Sequence, residues 1–179
     1  MPDRPLSGLV VAVPEAEVAV AALRHRLDSS AALGVPAHVT ALFPFAPPSA
    51  VTADVLARVA AVVRGVPAFG YRFSRTAWFG DTVLWLAPED PAPFRELTAR
   101  LAAAFPEHPP YGGAFADVVP HLTVGHEHLP AELAAAERDV LPRLPVTGTA
   151  TEVLLLAQEA PGGHWHRRAA FPLGPRQLR

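Results

Sequence analysis

Two short segments of this sequence share one pattern: His38-Val39-Thr40-Ala41 and His121-Leu122-Thr123-Val124, each a histidine and a threonine around a single apolar residue. On a β-strand, alternate side chains point the same way. Each segment therefore sets an imidazole and a hydroxyl side by side and sends Val39 or Leu122 to the opposite face. A chain with two such strands must fold so that one face of each meets a core and the other meets a polar space. Two imidazoles brought together across a groove divide acid and base work, and two threonine hydroxyls can hold the oxygens of a phosphate between them. The pattern points to phosphoester chemistry performed without a metal.

The surroundings of the two segments repeat as well. Leu9 to Val13 reads as a short apolar strand, and Pro14-Glu15-Ala16-Glu17 opens a helix that runs to about Leu27, with proline and acids where a helix start favours them. The first signature strand follows, from about Ala37 to Phe45. Pro47-Pro48-Ser49 breaks the chain, and Thr52 or a near neighbour caps a helix carrying Val55, Leu56, Val59, Val62 and Val63 on one side, which ends at Gly65-Val66-Pro67. Phe69 to Phe79 alternates as a strand. The order then restarts with a strand at 82–87, a helix from Pro93 to Phe105, the second signature strand, a helix from about Pro130 to Leu141 and a strand from Val146 to Ala157. A strand through His164 to Phe171 is an addition.

This is an internal duplication of a β-α-β-α-β unit. The expected fold is α+β and bilobal: two pseudo-symmetric repeats whose antiparallel-rich central sheets form a cleft, with helices on the outer faces. The whole chain, 1–179, is expected to be one bilobal domain, with repeat one at about 8–79, repeat two at about 82–157 and the extra strand at about 164–172.

Composition narrows the possibilities. With 179 residues, half of them hydrophobic, the chain can bury a substantial core by itself. A formal charge of −2 argues against a long phosphate-tracking surface and for a small or short phosphate ester. The absence of cysteine excludes disulfides, thiolate metal sites and a cysteine nucleophile. No apolar run reaches membrane-spanning length, and Met1 to Pro5 opens no secretory leader, so the expected location is the cytoplasm.

Three stretches carry a resemblance to a known family: His38-Val39-Thr40 with Ala41-Leu42-Phe43-Pro44-Phe45 after it, Val83-Leu84-Trp85-Leu86-Ala87-Pro88-Glu89, and Tyr111-Gly112-Gly113 leading through Phe115 to Pro120-His121-Leu122-Thr123-Val124. Together they resemble the 2H phosphoesterase superfamily, in its 2′-5′ RNA ligase and cyclic phosphodiesterase branch, over nearly the whole chain. The resemblance implies a bilobal α+β fold, metal-independent chemistry on 2′,3′-cyclic or 2′-5′ phosphoesters, and His38, Thr40, His121 and Thr123 as the active residues. It also marks a departure. Several relatives carry an arginine five residues after the second motif histidine, where this chain has His126.

The side chains support such chemistry. Opening a 2′,3′-cyclic phosphate needs one proton taken from water and one given to the departing ribose oxygen, which a neutral imidazole facing an imidazolium can do. Thr40 and Thr123 would donate to the non-bridging oxygens. Either histidine can be the base. The same site run in reverse would join RNA ends.

Other residues have plainer roles to set beside functional ones. Phe43, Phe45, Trp78, Tyr111 and Phe115 are candidates to bind substrate by stacking on a base, with core packing as the alternative. His121, His126 and His128 are close in sequence, but simple alternation sends His126 and His128 to the face opposite His121, so no metal site is expected. His164-Trp165-His166-Arg167-Arg168 reads as a charged edge strand more readily than as a nucleotide contact. Asp117 and Glu127 are solvated acids or partners that orient a histidine. No cofactor is expected.

The expected function is a phosphodiesterase acting on a small nucleotide or short RNA with a 2′,3′-cyclic phosphate or a 2′-5′ linkage, with ligase activity in reverse and a monomer as the default state. Two alternatives stand beside it: a non-catalytic RNA-end or nucleotide-binding module, and an esterase for a cyclic phosphate derived from ADP-ribose.

Overall fold

A computed structural model describes residues 4–115 and 117–176 of the chain. Residues 1–3, at the head of the stretch read for a leader, lie outside it. The first half of the chain runs β1 (Ser7–Ala12), α1 (Glu17–Leu27), the short α2 (Ser29–Ala32), β2 (His38–Leu42), α3 (Ala53–Arg64) and β3 (Phe69–Phe79). The second runs β4 (Val83–Pro88), α4 (Ala92–Ala104), β5 (Leu122–His126), α5 (Pro130–Val140), β6 (Val146–Ala150) and β7 (Glu152–Gln158), and β8 (Trp165–Pro172) follows.

Local chemistry sets these boundaries. Thr52 caps α3, its hydroxyl oxygen accepting from the Val55 N–H at 3.3 Å. Asp28 ends α1 and caps α2 by accepting from the Ser30 N–H at 3.0 Å. Pro14–Ala16 forms a single 3-10 turn, so the first helix proper begins three residues beyond the proline.

The strands form two four-stranded sheets, ordered β2-β1-β7-β8 and β5-β4-β3-β6, with every neighbouring pair antiparallel. The fold is therefore α+β with two sheets, as the repeat pattern implies. The signature strands β2 and β5 are end strands, one in each sheet, and they contact each other where the sheets meet.

Strands also exchange between the halves. β3, the last strand of the first half, pairs with β4 in the second sheet, and β7 pairs with β1 in the first. The stretch that reads as one strand from Val146 to Ala157 is in fact two, β6 and β7, broken at Thr151 as the chain leaves one sheet for the other. Helices cross over too: α1 packs on β5, and α4 on β2.

Beside a smaller cluster of Val10, Val35, Leu154 and Leu156, the result is a main hydrophobic core shared by both sheets. It holds Val11, Val39 and Leu155 from the first sheet, Phe73, Leu86 and Leu122 from the second, and Val20, Val63, Leu101 and Leu133 from the helices. Val39 and Leu122, the spacers of the two motifs, are fully enclosed, which fixes their strands with the histidine and threonine facing away from the core. Among the described residues no helix is long and apolar enough to cross a membrane.

Candidate active site

The face of each motif strand that is turned away from the core opens onto a single cleft of about 670 Å³. His38 and Thr40 line it from β2 and its start; His121 and Thr123 line it from β5 and the residue before it. Strand pairing holds them in place: Thr40 is opposite Val10 and His38 opposite Ala12 on β1, while Thr123 is opposite Trp85 on β4.

The two histidines are held in the same way. His38 Nδ1 donates to the Pro36 carbonyl at 2.8 Å, and His121 Nδ1 donates to the Val119 carbonyl at 2.8 Å. A carbonyl only accepts, so the proton sits on Nδ1 and the Nε2 lone pair of each neutral ring is free. In each case the acceptor lies two residues back along the chain. Asp117 and Glu127 take no part in this: Asp117 is on the cleft wall with Arg95 at 3.7 Å, and Glu127 faces His126 at 3.7 Å.

Both imidazoles sit in surroundings that disfavour charge. Burial holds His38 down at about 4; the carbonyl of Pro36 pulls the other way, and the nearby Arg24 cation adds to the lowering. Burial also lowers His121. Its ring meets Phe79 edge-on, with centroids 5.0 Å apart, and Trp85 at 5.8 Å, and Phe79 and Trp85 stack on one another at 4.7 Å.

Tyr111 stands on the same wall as Thr40, and burial pushes its phenol up. Tyr111 stands in the left-handed region at φ 52°, a conformation that non-glycine residues seldom adopt, and Gly112 and Gly113 continue the turn at φ 64° and 79°. The Tyr111 N–H donates to the Phe43 carbonyl at 2.6 Å, tying this turn to the end of β2.

Three of the five aromatic candidates reach the cleft. Phe43 lines it against Trp165, 6.1 Å away; Tyr111 and Phe115 line it as an edge-to-face pair at 5.6 Å, with Phe115 exposed at the mouth. The other two do not. Phe45 is buried in the core, edge-on to Phe105 at 5.0 Å and beside His108. Trp78 turns toward α5, where its Nε1 donates to Glu137 at 3.1 Å and Thr76 donates to the same oxygen. Its neighbour Phe79 faces the cleft instead, as alternation along β3 requires.

His126 corrects the alternation argument. A bulge interrupts the β4–β5 ladder: Thr123 pairs with Trp85 but Gly125 pairs with Leu84, so β5 carries one extra residue. The phase of the strand shifts, and His126 joins His121 and Thr123 on the cleft wall. His128 stays away, beside Glu132. Among the described residues no three histidines or acids converge to hold a metal ion.

The segment Ser29-Ser30 and the side chains of Val10, Val35, Leu156 and Trp165 complete the walls. Trp165 is the first residue of β8, the edge strand of its sheet, whose Arg167 and Arg168 are exposed as a guarded edge requires. Sequence reasoning misses Trp165 as a site residue because nothing local shows which face of an edge strand meets a cleft.

The model of the 2′-5′ RNA ligase superfamily matches residues 12–162. The chain belongs to the 2′-5′ RNA ligase superfamily. Membership supports an enzyme of 2H phosphoesterase type. Solved structures agree on the fold. TT0787 of Thermus thermophilus aligns over 96% of this chain and 100% of its own at 21% identity, with a TM-score of 0.64. E. coli LigT complexed with 3′-AMP aligns over 95% and 99% at 18% identity, also at 0.64, and LigT complexed with NADP+ over 97% and 99% at 16% identity, at 0.61. No curated protein matches the sequence. The superfamily member described here thus shares with LigT and TT0787 a fold of two antiparallel sheets.

Proposed function

We propose that this member of the superfamily is a metal-independent phosphodiesterase that hydrolyses 2′,3′-cyclic or 2′-5′-linked phosphoesters of nucleotides or RNA ends. The observation that carries the reading is the matched pair: His38 and His121, each with Nδ1 tied to a backbone carbonyl and Nε2 free, on one cleft with Thr40 and Thr123. A site that only bound phosphate would be served by arginine and would not need two titrating rings.

In this reaction water attacks phosphorus and one phosphorus–ribose oxygen bond breaks. The water proton passes to Nε2 of one histidine, and Nε2–H of the other protonates the departing ribose oxygen. Thr40 and Thr123 donate to the non-bridging oxygens. The roles exchange in reverse, so the same groups would serve 2′-5′ joining. Phe43, Tyr111, Phe115 and Trp165 offer flat apolar surfaces to a base.

The test is hydrolysis of 2′,3′-cyclic nucleotides in the presence of a chelator, with the 2′- and 3′-phosphate products separated. His38→Ala and His121→Ala are each expected to lower kcat by about 10²–10⁴-fold, and Thr40→Ala or Thr123→Ala by about 10–10³-fold. Binding of the nucleotide without turnover would instead favour a recognition module.

A further inference from the structure

The cleft that would take the phosphate is lined, among the described residues, without a fixed positive charge. Among the described residues on its wall there is no arginine, and the chain contains no lysine. The basic side chains on the wall are three imidazoles, His38, His121 and His126. Asp28 and Asp117 are also on the wall. Each faces an arginine, Arg24 at 2.9 Å and Arg95 at 3.7 Å, so these two guanidiniums are already matched by acids.

The charge of the ligand changes during the proposed reaction. A phosphodiester carries one negative charge. Adding water across a phosphorus–oxygen bond yields a monoester whose second proton leaves near pH 6, so the product is a dianion in neutral or alkaline solution. A guanidinium would hold either species through a fork of parallel N–H groups. An imidazole offers a single N–H and no permanent charge. Around it the cleft is aliphatic and aromatic, with Val10, Val35, Leu156 and Trp165 on one wall, and a second negative charge there loses water without gaining a partner.

We propose that the cleft reads the charge of its ligand, retaining monoanionic phosphodiesters and releasing dianionic monoesters, and that His126 is the residue that sets this preference. The inference rests on the phosphodiesterase reading and deepens it, since it names the charge class of the substrate and makes release of the product favourable. The bulge in β5 brings His126 to the wall on the same strand as Thr123. Its ring is half-exposed, with Nε2 3.7 Å from the Glu127 carboxylate, so it can meet an outer phosphate oxygen without having been stripped of water beforehand, and it brings no unmatched charge of its own.

The experiment is a tryptophan-fluorescence titration of the whole chain, with Trp165 in the cleft as the reporter. The probes are methyl phenyl phosphate, a monoanionic diester, and phenyl phosphate, a dianion in mildly alkaline buffer. The wild type is expected to bind the diester about tenfold or more tightly than the monoester. His126→Arg is expected to tighten the monoester by about tenfold and remove the preference, while His126→Gln, which keeps an uncharged N–H donor, retains it. Equal or tighter binding of the monoester by the wild type, no binding of the diester, or an unchanged ratio in His126→Arg would overturn the inference. Hydrolysis of 2′,3′-cyclic nucleotides by the same samples separates the two readings. Turnover without charge preference overturns only the present one, and charge preference without turnover overturns only the phosphodiesterase assignment.

Discussion

His38 and His121 present Nε2 to the cleft because the backbone has taken the other nitrogen. In both motifs the acceptor is the carbonyl two residues earlier, so the tautomer is written into the local chain and needs no acidic partner. The price is charge: burial lowers both rings, His38 to about 4, so both are neutral in the free protein near pH 7. Under the proposed chemistry one ring must be protonated. In the free protein that form becomes available only as pH falls below the ordinary histidine value of about 6.5. The alkaline limb of kcat/KM should therefore have its midpoint below about 6.5, while a bound phosphate anion favours imidazolium and moves the limb of kcat to higher pH. Rate profiles at low and saturating substrate check this, and a kcat/KM limb centred above about 7, half a unit past the ordinary value, would contradict it. The four motif residues were legible in the sequence because alternation and an apolar spacer decide which face each side chain takes. Phe45 and Trp78 were not. An aromatic side chain suits the core and the cleft equally well, and only tertiary packing against Phe105 or Glu137 shows where each went.

At the scale of elements, two local structures shape the cleft. The first is the bulge in β5. Gly125 lies inside it, pressed between α1 and α5, where a Cβ would come within 2.6 Å of Leu133 Cδ2 and 3.0 Å of Leu27 Cβ. Gly125→Ala should cost about 1–3 kcal/mol by overpacking, read as a lower denaturation midpoint. Nothing in the sequence except the glycine itself signals this bulge, which is why simple alternation puts His126 on the wrong face. The second is the corner between α1 and α2. Arg24 is buried, with its guanidinium on Asp28 at 2.9 and 3.2 Å and on the Val35 carbonyl at 3.3 Å, while Asp28 accepts from the Ser30 N–H and hydroxyl. This pair holds Ser29 and Ser30 on the cleft wall. Arg24→Met leaves a buried carboxylate without its cation and should cost about 3–5 kcal/mol; adding Asp28→Asn should recover part of that. A double-mutant cycle by urea denaturation measures both.

For the whole molecule, the decisive feature is that neither half owns its sheet. The succession of strands and helices could be read along the chain because periodicity is local, but pairing is not local, and an apolar run such as 153–157 looks the same whichever sheet it joins. In the folded protein β7 from the end of the chain completes the sheet begun by β1 and β2, and β3 from the first half completes the sheet of β4 and β5. Removing the second half would strip β7 and β8 from the first sheet and expose the β1 edge, and removing the first would strip β3 from the second sheet and expose the β4 edge, together with core residues that α1 and α4 cover across the divide. Unfolding should therefore be one cooperative transition, with fluorescence and far-ultraviolet dichroism giving the same midpoint. Fragments 1–80 and 81–179, cut in the turn between β3 and β4, should each be unstructured alone and regain the native dichroism when mixed, because every strand that one lacks the other supplies. Two separate transitions, or a fragment that folds unaided, would show that the halves are independent units and that the cleft is an interface between them. Mixing also tests the site, since His38 and Thr40 belong to one fragment and His121 and Thr123 to the other: restored turnover of a cyclic phosphate would require both to meet on one substrate.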